Sequence, residues 1–268
     1  MSPLSWLVAL DLDGTTLAED GSVSAAVLEQ IRRLDAAGHH VVITTGRSAA
    51  TTIPVLTQLG IGPEYLICSN GAVTLRRTGS AYRRERVVRF DPGDTLRAIR
   101  SHLPGVRFAV EDENGTYRFT AAFPAATTGL DHHMVRVPFE DLLLRPATRV
   151  VAISPEHDAA EFAAVVQRMG LRQVTYAMGW SSWLDIAAEG VDKARAGEEV
   201  RVRLGIRRER VMAVGDGHID LELLRWAAEH GRGVAMGNAP AELLAVANEV
   251  TGTVHEDGLA VVLATLPT

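Results

Sequence analysis

Asp11-Leu12-Asp13-Gly14-Thr15 carries two carboxylates at i and i+2, and in an extended segment that spacing points both the same way. Like charges so close repel, and they need a cation or a shared proton. Gly14 lets the chain turn away directly after them. A second acidic pair, Asp216 and Asp220, stands near the other end of the chain in Gly215-Asp216-Gly217-His218-Ile219-Asp220. Between the two lies Thr45-Gly46-Arg47, which offers a hydroxyl. Lys193 is the only lysine among 27 basic residues, and a compact ammonium is not equivalent to a planar guanidinium fork. Singly, each group has an ordinary explanation: an acidic turn, a helix cap, an acid on a helix dipole, a residue left by chance. Together they build a phosphate site in which Lys193 is the cation.

The segments around them are suited to hold such groups at one edge of a sheet. Trp6-Leu7-Val8-Ala9-Leu10 is an apolar run too short to span a membrane and suited to a buried parallel strand. Ser24 to Ala37 follows with Val27, Leu28, Ile31 and Leu34 on a helical stripe, and stops at Gly38. His40-Val41-Val42-Ile43-Thr44 reads as a second buried strand. Strand, helix and strand imply a right-handed crossover and a parallel sheet, so Thr45 shares the carboxyl edge with Asp11. Val211 to Gly215 reads as another strand, with Asp216 in the loop after it and Asp220 in the first turn of a helix through about His230 and Gly231.

Carried by these residues, the chain resembles the haloacid dehalogenase superfamily of phosphohydrolases. It is most similar to the Cof-type branch, in which a large cap is inserted between the second and third motifs. The matches run in the family's order: Asp11-Leu12-Asp13-Gly14-Thr15, Thr45-Gly46-Arg47, Ser69-Asn70-Gly71-Ala72, Gly190-Val191-Asp192-Lys193, Gly215-Asp216 with Asp220, Val234-Ala235-Met236-Gly237-Asn238-Ala239 and Glu256-Asp257-Gly258. Two positions depart from the pattern, because Ile219 and His255 stand where the family usually has Asn. The resemblance implies Asp11 as the nucleophile that forms an aspartyl-phosphate. Asp13 is then the acid that protonates the leaving oxygen and afterwards activates water. Thr45 and backbone amides hold phosphoryl oxygens, with Leu12, Gly46, Arg47 and Asn70 in the substrate- and phosphate-binding set. Lys193 neutralises the phosphate and restrains Asp11. Magnesium is the implied metal, since the donors are hard carboxylate oxygens. Asp11, Asp216 and the carbonyl of Asp13 bind it, and Asp220 assists directly or from behind.

Spacing places a second unit. Leu17 to Ser22 is enough for a small flap, whereas about 150 residues separate Thr45 from Lys193, far more than two βα units need. The arginine-rich stretch from Arg76 to Arg86 reads as an exit from the core. From 84 to 186, short β-like runs (Val106 to Val110, Tyr117 to Thr120, Arg149 to Ile153, Trp183 to Ile186) alternate with helical ones (Thr95 to His102, Ala159 to Met169). The expected fold is therefore α/β: a Rossmann-like parallel-sheet core formed by 1–83 and 187–268, with an α+β cap inserted at 84–186. Within the cap, Glu111 to Gly115 reads as a solvated hairpin tip. His132, His133, Trp180 and Trp183 are candidates for substrate contact, each with a plainer reading as surface or packing residues.

At 268 residues and 47% apolar composition, two domains and a substantial core are expected. No 18-residue apolar run or secretion signal is present, and Cys68 is the only cysteine, which points to a cytoplasmic protein without intrachain disulfides. A net charge of −6 argues against nucleic-acid binding by bulk electrostatics. The resemblance thus implies a magnesium-dependent phosphatase for small phosphate monoesters, sugar phosphates or other phosphorylated metabolites. Its only partner is that metabolite, with neither nucleic acid nor membrane, and the chain works as a monomer or homodimer. Phosphotransfer to a sugar hydroxyl, as in the related phosphomannomutases, and ligand sensing without turnover are the competing readings. Asp11, Asp13, Lys193 and Asp216 weigh against the last.

Overall fold

The computed structural model describes residues 5–123, 134–171, 174–178 and 182–267. Strand β1 (Leu7–Leu10) is buried at every position. Ser24 caps α1 (Ala25–Ala36) by accepting from the Val27 N–H, and Gly38, at φ 81°, turns the chain into β2 (His40–Thr44). Ser48 likewise caps α2 (Ala49–Leu59), which leads to β3 (Tyr65–Cys68). β4 (Val73–Thr78) and β5 (Ala81–Val87) then fold back antiparallel onto β3. The arginine-rich stretch is thus a hairpin at the edge of the core sheet and not an exit from it. Its exposed polar side chains suit an edge strand, where charges discourage further pairing.

A second sheet follows. α3 (Gly93–His102), β6 (Arg107–Glu111), β7 (Tyr117–Phe119), β8 (Met134–Arg136), α4 (Phe139–Leu142), β9 (Arg149–Ile153), α5 (Ala159–Met169), β10 (Val174–Met178) and β11 (Trp183–Ala188) build it in the order β10-β11-β9-β6-β7-β8. Leu96 and Ile99 of α3 and Phe162 and Val166 of α5 cover Phe108, Val150, Ala152 and Ile186 on one face.

The chain returns through α6 (Lys193–Leu204), β12 (Val211–Gly215), α7 (Leu221–Ala228), β13 (Arg232–Ala235), α8 (Ala241–Val246), β14 (Glu249–Val250) and α9 (Gly258–Leu263). The core sheet runs β14-β13-β12-β1-β2-β3-β4-β5, parallel from β14 to β3. Strand alternation sorts its two faces. Val8, Leu10, Val41 and Ile43 pack with Ile31, Leu34, Leu259 and Leu263 on one side; Leu7, Ala9 and Val42 pack with Val200, Leu223 and Leu243 on the other. Both faces are covered, which is why these strands read as unbroken apolar runs. The fold is a Rossmann-like α/β core with an inserted α+β cap. Among the described residues no helix is long and apolar enough to cross a membrane.

The two sheets meet through buried polar groups. Glu111, at the end of β6, accepts from Ser69 Oγ of the core at 2.8 Å and from the Tyr117 hydroxyl at 3.2 Å. It is 1% exposed, so Glu111 itself is no part of a solvated tip; alternation along β6 turns it inward. Burial pushes its carboxyl up to about 7, against the pull of Arg149, Ser69 and Tyr117; Asp185 adds a further push upward. The folded protein therefore holds a proton that the unfolded chain releases near 4.5, and this contribution to stability is lost as pH rises from about 4.5 through about 7. Glu111→Gln removes the titration, and urea melts across that window should show a total loss of stability smaller by roughly 3 kcal/mol at most.

Candidate active site

Because β1, β2, β3 and β12 are parallel, their carboxyl ends share one edge, and Asp11, Thr45, Ser69 and Asp216 follow them directly. Lys193 opens α6 behind that edge, with Asp192 as the helix cap, and its side chain is wholly buried. Its Nζ donates to Asp11 Oδ1 at 2.6 Å and to Asp220 Oδ1 at 2.7 Å. The other oxygen of Asp220 accepts the Asp216 and Gly217 N–H groups at 3.3 and 3.1 Å, which ties the loop after β12 to the same ammonium. Asp216 accepts from Thr15 Oγ1 at 2.9 Å and from Asn238 Nδ2 at 3.0 Å. Thr16 Oγ1 donates to the Asp11 carbonyl at 2.5 Å.

Asp11, Asp216 and Asp220 each bring one carboxylate oxygen within 4.8 Å of the others. Burial first, and Asp220 second, hold the Asp11 carboxyl well above the ordinary range, with Lys193 pulling it back. The same two causes raise Asp216 to about 7. Burial alone would depress the Lys193 ammonium, but Asp11 and Asp220 outweigh it and keep the amine charged. Three acids around one ammonium leave a surplus of negative charge, and each close pair costs roughly 4 kcal/mol at an effective dielectric near 20. Hard oxygen donors with surplus charge fit a divalent cation of the magnesium or calcium kind.

The remaining residues singled out in the sequence are dispersed around this cluster. The Asp13 carboxylate lies outside that cluster: Arg47 Nε donates to its Oδ2 at 2.8 Å and Nη2 to its Oδ1. Thr45 is buried, its Oγ1 accepts the Arg47 N–H at 3.1 Å, and its carbonyl accepts the Asn70 N–H at 3.1 Å. Asn70 and Ser69 both adopt left-handed backbone, at φ 54° and 50°, a strain of about 1–3 kcal/mol each. Asn70 Oδ1 is buried without a hydrogen-bond partner among the described residues. It lies beside Gly46, where a Cβ would come within 2.9 Å of it. Leu12 sends its side chain into the core and its carbonyl to the Thr16 and Leu17 N–H groups. Ile219 packs toward Gly46, and His255 pairs with Glu19 on the surface at 3.1 Å. Trp183 stacks edge-on against Phe123 within the cap, while His132, His133 and Trp180 lie outside the described residues.

Above this edge, a cleft of about 200 Å³ opens between cap and core, lined by Asn70, Tyr176, Asp185, Lys193, His218 and Glu222 among others. Sequence reading did not single out Thr15 or Asn238, although each stood in a quoted motif. Asn238 Nδ2 also donates to the Gly14 carbonyl at 3.1 Å, so it bridges the first and last acidic loops. Gly14 explains their closeness. At φ +82°, a Cβ on it would sit 2.2 Å from Asp216 Oδ2. Gly14→Ala should cost at least about 1–3 kcal/mol in thermal denaturation from the backbone alone.

The family model for haloacid dehalogenase-like hydrolases matches residues 8–263. The chain is 28% identical to the 5-amino-6-(5-phospho-D-ribitylamino)uracil phosphatase YitU of Bacillus subtilis, over 97% of both chains. It is 26% identical to the pyridoxal phosphate phosphatase YbhA of Escherichia coli, over 95% of this chain and 96% of that one. In structure it superposes on the subclass IIB sugar phosphatase BT4131 with a TM-score of 0.80, covering 97% and 98% of the two chains at 21% identity, a likeness of fold. The chain belongs to the haloacid dehalogenase-like hydrolases and is a phosphoric monoester hydrolase of that family.

Proposed function

We propose that the protein is a magnesium-dependent phosphatase of small phosphorylated metabolites, sugar phosphates or similar, acting through an aspartyl-phosphate. The observation that carries this reading is Lys193, buried between Asp11 and Asp220 while Asp216 closes the acidic cluster. Asp11 Oδ attacks phosphorus in line and the bond to the leaving oxygen breaks, with Asp13 giving that oxygen its proton. Asp13 then takes a proton from water as the water attacks phosphorus, so that inorganic phosphate leaves and the Asp11 carboxylate is restored. For this Asp13 must exchange the Arg47 fork for the leaving oxygen, which ties the acid to the Thr45-Gly46-Arg47 loop. Asp11, Asp216 and the Asp13 carbonyl, with Asp220 behind, would hold magnesium, which when bound would supply charge neutralisation for the phosphoryl group. Thr45 and backbone amides of the Leu12 to Asp13 and Gly46 to Arg47 segments hold phosphoryl oxygens, with Asn70 facing the substrate.

The leaving group occupies the cleft under β10 and β11, where Tyr176, Asp185, His218 and Glu222 set polar groups among apolar side chains such as Ala187 and Val191, which supports a metabolite with hydroxyls or heteroatoms on a carbon frame. The core sheet retains the chain through Val87 and the cap sheet through Ala188, so we place the two crossings between units just after these residues. A cytoplasmic address suits the buried thiol of Cys68. Phosphate release from about a hundred phosphorylated metabolites, with magnesium and with chelator, tests the reading. Turnover that needs the metal supports it, and metal-independent turnover or silence across the panel refutes it.

A further inference from the structure

Arg149 carries a cap contact to the Thr45-Gly46-Arg47 loop of the core. Arg149, first residue of β9, is 5% exposed. Its Nε and Nη2 donate to the two oxygens of Asp185 on the neighbouring strand β11, at 2.7 and 2.5 Å. With the fork so held, Nη1 donates to the Gly46 carbonyl of the core at 2.5 Å and to the Tyr117 hydroxyl at 3.1 Å. The Tyr117 hydroxyl in turn donates to Glu111 Oε2, whose other oxygen, Oε1, accepts from the Ser69 hydroxyl. Gly46 and Ser69 flank the groups that would hold phosphate. Gly46 lies between Thr45 and Arg47, while Ser69 precedes Asn70 in the strained turn. The loops are also joined to each other, Asn70 N–H to the Thr45 carbonyl and Ser69 N–H to the Arg47 carbonyl.

We propose that Arg149, braced by Asp185 and Tyr117, is a positioning residue that latches the Thr45-Gly46-Arg47 loop from the cap side, so that the site is in working geometry only when the cap is seated. A buried Arg and Asp are costly to place inside otherwise apolar strands, and a pair of hydrophobic residues of similar volume would hold the cap sheet together at least as well. What such residues could not do is donate to a core carbonyl. The guanidinium fork suits this use, because it satisfies a carboxylate bidentately with one face and still has N–H groups for other acceptors. Arg47 depends on the same loop for its grip on Asp13, so a loop released from Arg149 would misplace both a phosphate ligand and the proton donor. A misplacement near 1 Å costs on the order of 100-fold in rate.

The kinetic part of the test rests on the phosphatase reading; the structural part does not. In Arg149→Met/Asp185→Leu protein both charges of the pair leave together, so neither is stranded by the other's loss, and Arg149→Lys keeps a charge opposite Asp185 but replaces the fork, whose Nε and Nη2 hold Asp185 while Nη1 holds Gly46, by a single nitrogen. The latch predicts that both proteins fold with cooperative melts, while amide exchange at residues 45–47 and 69–71 quickens at least about tenfold relative to the parent. For Arg149→Lys, which leaves Asp185 in the cleft lining, it also predicts that kcat on a small aryl phosphate falls about 100-fold while KM changes less than about threefold. Should the double variant not fold, Arg149→Lys carries the same comparison. Unchanged exchange at both loops in a folded variant, or kcat within threefold of the parent, overturns the latch. A parent protein that hydrolyses nothing overturns the phosphatase reading instead, and the exchange comparison still decides for or against the latch.

Discussion

Asp11→Asn protein will fold, melt no lower than the parent at pH 8, and release no phosphate above about one-thousandth of the parental rate. The two halves of this result have one cause. Asp11 sits with Asp220 and Asp216 around a single ammonium, and burial together with Asp220 raises its carboxyl well above the ordinary range. An acid raised on folding contributes stability at low pH that is lost as pH climbs, so the ionised Asp11 is a burden at pH 8. Asparagine keeps an oxygen for the Lys193 ammonium and sheds the charge. Its advantage in Tm should therefore be largest at alkaline pH and shrink toward acid. Rate behaves oppositely, since an amide oxygen is a poor nucleophile and no acyl phosphate forms, and losing a nucleophile costs factors of 10³ or more. Melting curves at pH 6 and 8 beside phosphate release make the check. An Asn variant that is clearly less stable at pH 8, or that retains a tenth of the activity, would show that Asp11 is a structural acid.

Much of this site was legible because it is written locally. A buried strand must end at the sheet edge, so the order of strands and helices alone brings Asp11, Thr45 and Asp216 together, and the single lysine stands out by composition. Other features depend on long-range pairing that periodicity does not encode. Arg76 to Arg86 has the polarity of a loop, yet it pairs as an edge hairpin, and because those residues are exposed along most of both strands there is no buried face to leave an alternation. Glu111 lies in a run of acids and glycine typical of a turn, and only register along β6 shows that it points inward to Ser69. Arg149 and Asp185 did leave a trace, a charge inside each of two apolar strands. Their partnership follows from β9 lying beside β11, which the chain order alone does not reveal.

Replacing Lys193 by methionine should be the most damaging single change in the protein, to stability as well as to rate. The side chain is fully buried and its Nζ meets two carboxylates at 2.6 and 2.7 Å. Removing one partner of a buried ion pair costs about 3–5 kcal/mol, because the surviving charge stays out of water. Here two acids are stranded, with Asp216 close by, so the loss belongs at the upper end of that range. Asp11, already raised by burial, can recover some of it by taking up a proton, which acid solution favours. The penalty should therefore be smaller at pH 6 than at pH 8, and divalent cation should offset part of it at pH 8. Lys193→Met/Asp220→Asn offers the internal control. By removing one of the stranded charges it should be more stable than the single variant, an inversion that ordinary cavity loss cannot produce. Lys193→Arg keeps the charge, but a planar fork in a pocket shaped for one nitrogen cannot meet both oxygens as the ammonium does. It should fold better than the methionine variant and still lose about 100-fold in kcat. Urea denaturation of the three variants at both pH values, in chelator and in magnesium, decides the matter. If Lys193→Met lies within 1 kcal/mol of the parent in chelator at pH 8, the ammonium is not what holds the acidic cluster together.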